Sequence, residues 1–226
     1  MIALAALGAA PSLGQEQAEG WIIPFAVAYE PDMVAGFNSA FPAEVPDVRA
    51  RHFGWGLEFR SLVSGLLVGP MYMRTWDEVS DSALQVRTDA SAILGELGLK
   101  IAPFSFLTIV PMVGVGGLSQ SFSIRDQSGD VALPDLLNGQ GRTVTLSPGM
   151  KLAGLAALEL GFAVNTSSGR YGLALRGGYI YSPFNLTWRL ANGSRLTEVP
   201  RTHLGGPFVT LGINIMPAAV ANDAGK

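Results

Sequence analysis

His52 and His203 are the only imidazoles in the chain, and an imidazole beside a hydroxyl is the first chemistry they suggest. Ser182 and Glu198 supply the other residue types of an acyl-transfer triad, in which the ring takes the hydroxyl proton and the acid orients the ring. Nothing in the spacing fixes that geometry, and both histidines suit a mouth or a loop equally well. Asp126, Asp130 and Asp135 offer oxygens to a divalent cation, but their spacing does not match the alternating ligands of a calcium loop, so they read as solvated acids. The Asn-x-Ser/Thr sites at Asn165, Asn185 and Asn192 carry little weight. With no cysteine there is neither thiolate chemistry nor a disulfide, and a net charge of −3 leaves no footprint for nucleic acid. No phosphate loop or metal cluster is present, so no catalytic residue, metal or cofactor is expected.

A second group of chemically capable residues is set by alternation. Along 51–61 the odd positions are Phe53, Trp55, Leu57 and Phe59, against His52, Gly54, Gly56, Glu58 and Arg60 on the even ones. One face is oily and aromatic, and the other is glycine and charge. A soluble strand turns Lys, Glu and Thr toward water, whereas this pattern fits a transmembrane β-strand with lipid outside and a packed polar interior. The same parity puts Lys151, Glu159 and Arg176 inward, and Glu96 and Lys100 join them if the fourth strand carries a β-bulge near Gly95. Charges of both signs in a narrow tube must pair, because an isolated buried charge costs several kcal/mol. Their expected role is a salt-bridge plug, with a selective hydrophilic path as the alternative.

The elements that carry these residues follow from period-two runs bounded by turn residues. Eight strands are expected over 21–30, 51–61, 66–76, 84–101, 104–124, 143–164, 170–190 and 204–216. Long connectors (31–50, 77–83, 125–142 and 191–202) follow the odd-numbered strands, and tight turns (62–65, 102–103 and 165–169) follow the even ones. In a meander this sorts every long loop to one end of a closed barrel. Composition agrees: 48% of residues are hydrophobic and only 15% charged, the mean hydropathy is +0.31, and no run of apolar residues after the N-terminus is long enough for a membrane helix. The fold class is therefore all-β, an antiparallel up-and-down transmembrane barrel of about eight strands.

Aromatics gather where the wall should cross the membrane interfaces. Trp21, Phe104, Phe162 and Tyr171 are expected at the short-turn girdle, and Trp55, Trp76, Tyr181 and Trp188 at the long-loop girdle. The fifth strand, 104–124, is apolar on both faces and suggests an oligomer or protein contact there. Residues 1–14 read as the apolar core and cleavage region of a signal peptide, with Ser12 and Gly14 at the −3 and −1 positions and no positive n-region before Glu16. That leaves 15–216 for the barrel and 217–226 for a periplasmic tail.

On this pattern and topology the chain resembles the small outer-membrane β-barrels of Gram-negative bacteria, the group of the OmpA transmembrane domain and the OmpX and OmpW types. Its last strand, with Thr210, Leu211, Gly212, Ile213, Asn214 and Ile215, lacks the terminal aromatic common in such families. The resemblance implies the bacterial outer membrane, contact with its lipid and lipopolysaccharide, and long extracellular loops with short periplasmic turns. The function expected is structural or surface-interacting, with the lumen plugged and the loops as the working surface. Two alternatives stay open: a narrow channel or transporter for small or hydrophobic solutes, and an outer-leaflet enzyme of lipid A acyl transfer or deacylation.

Overall fold

In a computed structural model the chain forms a closed antiparallel β-barrel. The structure describes residues 19–40, 45–127, 143–166, 169–185, 187–190, 195 and 203–217, so the expected signal peptide and nearly all of the tail lie outside it. The elements are β1 (Glu19–Tyr29), α1 (Met33–Ala40), β2 (His52–Val63), β3 (Leu66–Ser80), β4 (Leu84–Leu99), β5 (Ile101–Phe104), β6 (Leu107–Asp126), β7 (Thr143–Ser147), β8 (Lys151–Thr166), β9 (Gly169–Asn185), β10 (Arg189–Leu190) and β11 (His203–Pro217). Eight of these make the wall, in the ring β1, β2, β3, β4, β6, β8, β9, β11 and back to β1. Closure removes the strand edge that an open sheet would have to leave unpaired in lipid. No helix among the described residues is long and apolar enough to cross a membrane.

Alternation then decides which side chains face out. Phe53, Phe59, Ile93, Leu97, Val113, Val115, Leu158, Leu173, Leu211 and Ile213 are all exposed, each about half or more. A continuous apolar surface of this size is untenable in water and natural in a bilayer. Where the wall extends past this belt toward the long connectors, its outer face becomes charged. Arg74 Nη2 lies 3.1 Å from Asp89 Oδ1, Arg87 Nε donates to Asp89 Oδ2 at 2.9 Å, and Trp55 and Trp76 are the cross-strand partners of Arg74 and Asp89.

Several elements depart from the sequence expectation. The first connector contains α1, whose Met33, Val34 and Phe37 turn into the barrel. β3 runs on through most of the third expected connector, leaving only Asp81, Ser82 and Ala83 before β4. Asp81 Oδ1 accepts the N–H groups of Ala83 and Leu84 at 2.7 Å each, and these bonds hold its carboxyl below the usual range. At the opposite end Ser64 and Gly65, both at positive φ, make the two-residue β2–β3 turn, and the next tight turn falls at Ser105 and Phe106, beyond the expected Ala102 and Pro103.

The bulge expected in the fourth strand is absent. β4 pairs with both neighbours in unbroken register, and its even positions face inward throughout, from Val86 to Gly98. The parity break lies in the sixth expected strand, which divides into β7 and β8. Between Phe122–Leu146 and Leu118–Lys151 three residues of β6 oppose four, 147–150, on the other side. Gly149 at φ 73° takes up the extra residue, and its N–H donates to Ser147 Oγ at 3.1 Å. Leu146 is thereby buried inside, on the even parity that faces outward in β8.

Candidate functional site

The interior is filled in two tiers. In the lower tier β2 contributes Glu58 and Arg60 two residues apart on one face, β4 contributes Glu96, and the register partners Glu159 and Arg176 come from β8 and β9. Arg60 binds Glu58 on its own strand, with Nη2 to Oε2 at 3.0 Å, and reaches Glu159 Oε1 through Nη1 at 2.7 Å. β2 and β8 stand opposite each other in the ring of eight, so this contact crosses the whole lumen. Arg176 joins the remaining acids: Nη1 donates to Glu96 Oε1 at 3.0 Å, Nη2 donates to Glu159 Oε2 at 3.0 Å, and Nη2 also meets Glu58. Met71 Sδ at 3.4 Å from Arg176 and Met112 Sδ at 3.7 Å from Arg60 close the remaining sides. All five charged residues are buried, and each guanidinium bridges at least two carboxylates, the arrangement that buried charges need.

The other two charges expected in the lumen lie apart from this network. Lys100 sits half-buried after β4, its Nζ 5.6 Å from the Trp21 ring centroid. Lys151 opens β8 on the inward parity and makes no ion pair among the described residues. Below the network, Trp21, Leu67, Thr108 and Asn214 help line a cavity of about 30 Å³, room for one or two waters.

The upper tier is apolar, where the alternation alone leads one to expect a polar interior. Phe25, Met73, Leu94, Leu118, Phe122, Leu155, Ile180 and Phe208 point in from the wall, and Met33, Val34 and Phe37 of α1 fill the space between them. Phe37 stacks on Phe122 with centroids 3.9 Å apart and planes 6° from parallel. Gln120 Nε2 donates to Tyr29 Oη at 2.8 Å, a second tie across the lumen, here from β6 to β1. The segment after α1 is fastened by Asn38, whose Nδ2 donates to the Val48 carbonyl and whose Oδ1 accepts the Val48 N–H, both at 3.0 Å. The recurrence of Met33, Val34 and Phe37 at helical spacing is the signal in the sequence that points to α1.

Apolar side chains also fill other parts of the interior, in both tiers. The odd row of β1, Ile23, Phe25, Val27 and Tyr29, is buried inside. The inner apolar face of β6 is used by the core through Val110, Met112, Leu118 and Phe122. Of the aromatics expected in the girdles, Trp55, Trp76, Phe104, Phe162, Tyr171 and Tyr181 face outward and are exposed. Trp21 instead faces the lower interior, and Trp188 is buried in the upper tier, 5.4 Å from Phe122. Its path inward begins where the β8–β9 ladder stops at Gly154–Tyr181, after which β9 reaches Pro183, which has no N–H, and β10 returns to pair with β7.

The acyl-transfer candidates are not assembled among the described residues. His52 is buried at the mouth with Nε2 3.2 Å from Thr88 Oγ1, while His203 is exposed beside the Tyr181 ring. Ser182 is buried with its Oγ unpartnered, and no hydrogen bond joins it to either histidine. Glu198, Asp130 and Asp135 lie outside the described residues; Asp126 ends β6 opposite Leu84. No group of three or more metal-ligating side chains occurs among the described residues.

No protein-family model matches the chain, and no curated relative matches it. Its fold does match solved structures. A major outer membrane protein of Thermus thermophilus superposes with a TM-score of 0.51 at 11% identity, covering 86% of this chain and 98% of that one. The attachment invasion locus protein Ail of Yersinia pestis gives 0.49 at 9% identity over 87% and 97% of the two chains. Neisserial surface protein A gives 0.45 at 10% identity over 87% and 96%. The fold is that of the small bacterial outer-membrane β-barrels, and the apolar belt is the surface with which such a wall meets lipid.

Proposed function

We propose that this chain is a non-conducting outer-membrane barrel: a rigid plugged wall that displays its long connectors as an interaction surface and rests in outer-membrane lipid and lipopolysaccharide. The observation that carries this reading is the interior network of Glu58, Arg60, Glu96, Glu159 and Arg176, which joins opposite walls with every charge paired. A hydrated path would leave water-accessible charge along the tube, whereas here all five side chains are removed from solvent. The apolar tier around α1 closes the mouth above it. A wall closed twice serves rigidity and display, and exposed connectors on a rigid scaffold are where binding residues concentrate.

Replacing residues 128–142 with a short Gly-Asn turn tests the division of labour between wall and loops. The trimmed protein is expected to refold in micelles to the same heat-modifiable gel band as wild type, and to lose binding to vesicles that contain lipopolysaccharide. Failure to form that band, or binding equal to wild type, would count against the loops as the working surface.

A further inference from the structure

The mouth contains a ring-stacking platform with an unsatisfied polar atom beside it. Phe122 is fixed on a wall strand, and Trp188 stands against it at 5.4 Å with planes at 57°. The ring covering the open face of Phe122 is Phe37, which belongs to an eight-residue helix containing Gly36, with no acid in its first turn and no base in its last. A helix this short does not hold itself in water, so its position depends on docking. That docking is the packing of Met33, Val34 and Phe37 against the wall, and the segment that follows is tied by the two Asn38–Val48 hydrogen bonds and by a rim ion pair, Arg49 with Asp77, which contributes little. On the same inward face as Phe122, two residues away, Gln120 is buried to 3% exposure; its Nε2 is used by Tyr29, but its Oε1 has no partner. A buried acceptor without a donor is disfavoured, and a group that supplies the donor is correspondingly favoured.

We propose that the barrel mouth is a binding site for small planar aromatic solutes bearing a hydrogen-bond donor, with the Phe37 ring standing in for the ligand. The solute ring displaces Phe37 and stacks on Phe122 beside Trp188, and its hydroxyl donates to Gln120 Oε1. The charge network beneath closes the floor, so the solute is held at the mouth and does not cross the wall. This goes beyond the plugged-barrel reading, and the two are tested by different readouts.

The test is a titration of the full chain, refolded in detergent micelles and labelled at its methionine methyls, with phenol and with toluene, followed by NMR. Met33 reports on α1, and Met71 and Met73 report on the wall around it. Phenol is expected to shift the Met33 methyl saturably and to bind at least about fivefold more tightly than toluene, a difference that Gln120→Leu removes. Phe37→Ala, which takes away the competing ring, is expected to tighten phenol binding, and Phe122→Leu to abolish it while the heat-modifiable band persists. The proposal is overturned if phenol perturbs only lipid-facing residues, if it binds Phe37→Ala no better than wild type, or if Gln120→Leu leaves the preference over toluene intact. A conducting lumen would contradict the plugged barrel without touching any of these outcomes.

Discussion

Arg176 is the residue on which the interior charge balance turns, since it touches Glu58, Glu96 and Glu159 at once. Arg176→Met would leave three buried carboxylates with one guanidinium, and breaking a buried network in this way costs about 3–5 kcal/mol. Urea unfolding in micelles should show that loss. Lys151→Met should stay within about 0.5 kcal/mol of wild type, because Lys151 has no ion pair among the described residues to lose. A large effect at Lys151 or a small one at Arg176 would contradict this assignment. The inward placement of Glu58, Arg60, Glu159 and Arg176 is legible in the sequence, because period two leaves a charged residue between outward apolar neighbours no other direction. Trp21 and Trp188 are not legible as interior residues. An aromatic side chain suits a lipid interface and an apolar lumen equally well, and only the contents of the lumen separate the two.

Among the elements, the β7–β8 junction shows how one residue redirects a strand. The sequence carries alternation on both sides of Pro148–Gly149, but a parity change between two apolar rows is invisible when residues on both parities can be buried. Alternation points instead to a bulge in β4, where Val86, Ala90 and Leu94 give way to Glu96. That change is the boundary between the apolar and charged tiers on one continuous inward face. Gly149→Ala forces a side chain into a left-handed conformation and should cost about 1–2 kcal/mol. Gly177→Ala, at an outward position where an added Cβ meets nothing within 4 Å, should change stability by less than about 0.5 kcal/mol. Comparing the two variants by urea unfolding separates backbone strain from the general effect of an added methyl. α1 leaves only one turn of helical spacing in the sequence, Met33, Val34 and Phe37, and eight residues inside a connector rich in Pro, Asp and Asn do not compete with the strong strand signals on either side.

For the whole molecule, the closed wall, its eight strands and the apolar outer belt are legible from period two, and the sorting of connectors points the same way except between β3 and β4, where only residues 81–83 remain. What fills the barrel is legible only in its charged half. Membrane residence makes its own prediction: Leu211→Arg, at a mid-wall lipid-facing position, should cost about 2–4 kcal/mol, while Ser121→Arg, in the row of Asp89 at the charged rim, should cost about 0–1 kcal/mol. Equal effects at the two sites, read from unfolding in lipid vesicles, would remove the depth dependence that a bilayer imposes. The central claim, a membrane barrel closed by its own side chains, is tested most directly by single-channel recording of the refolded protein in planar bilayers, with the heat-modifiable gel band as proof of folding in the same sample. A folded band without conductance steps is the predicted result; stepwise conductance from the folded wild type would contradict it.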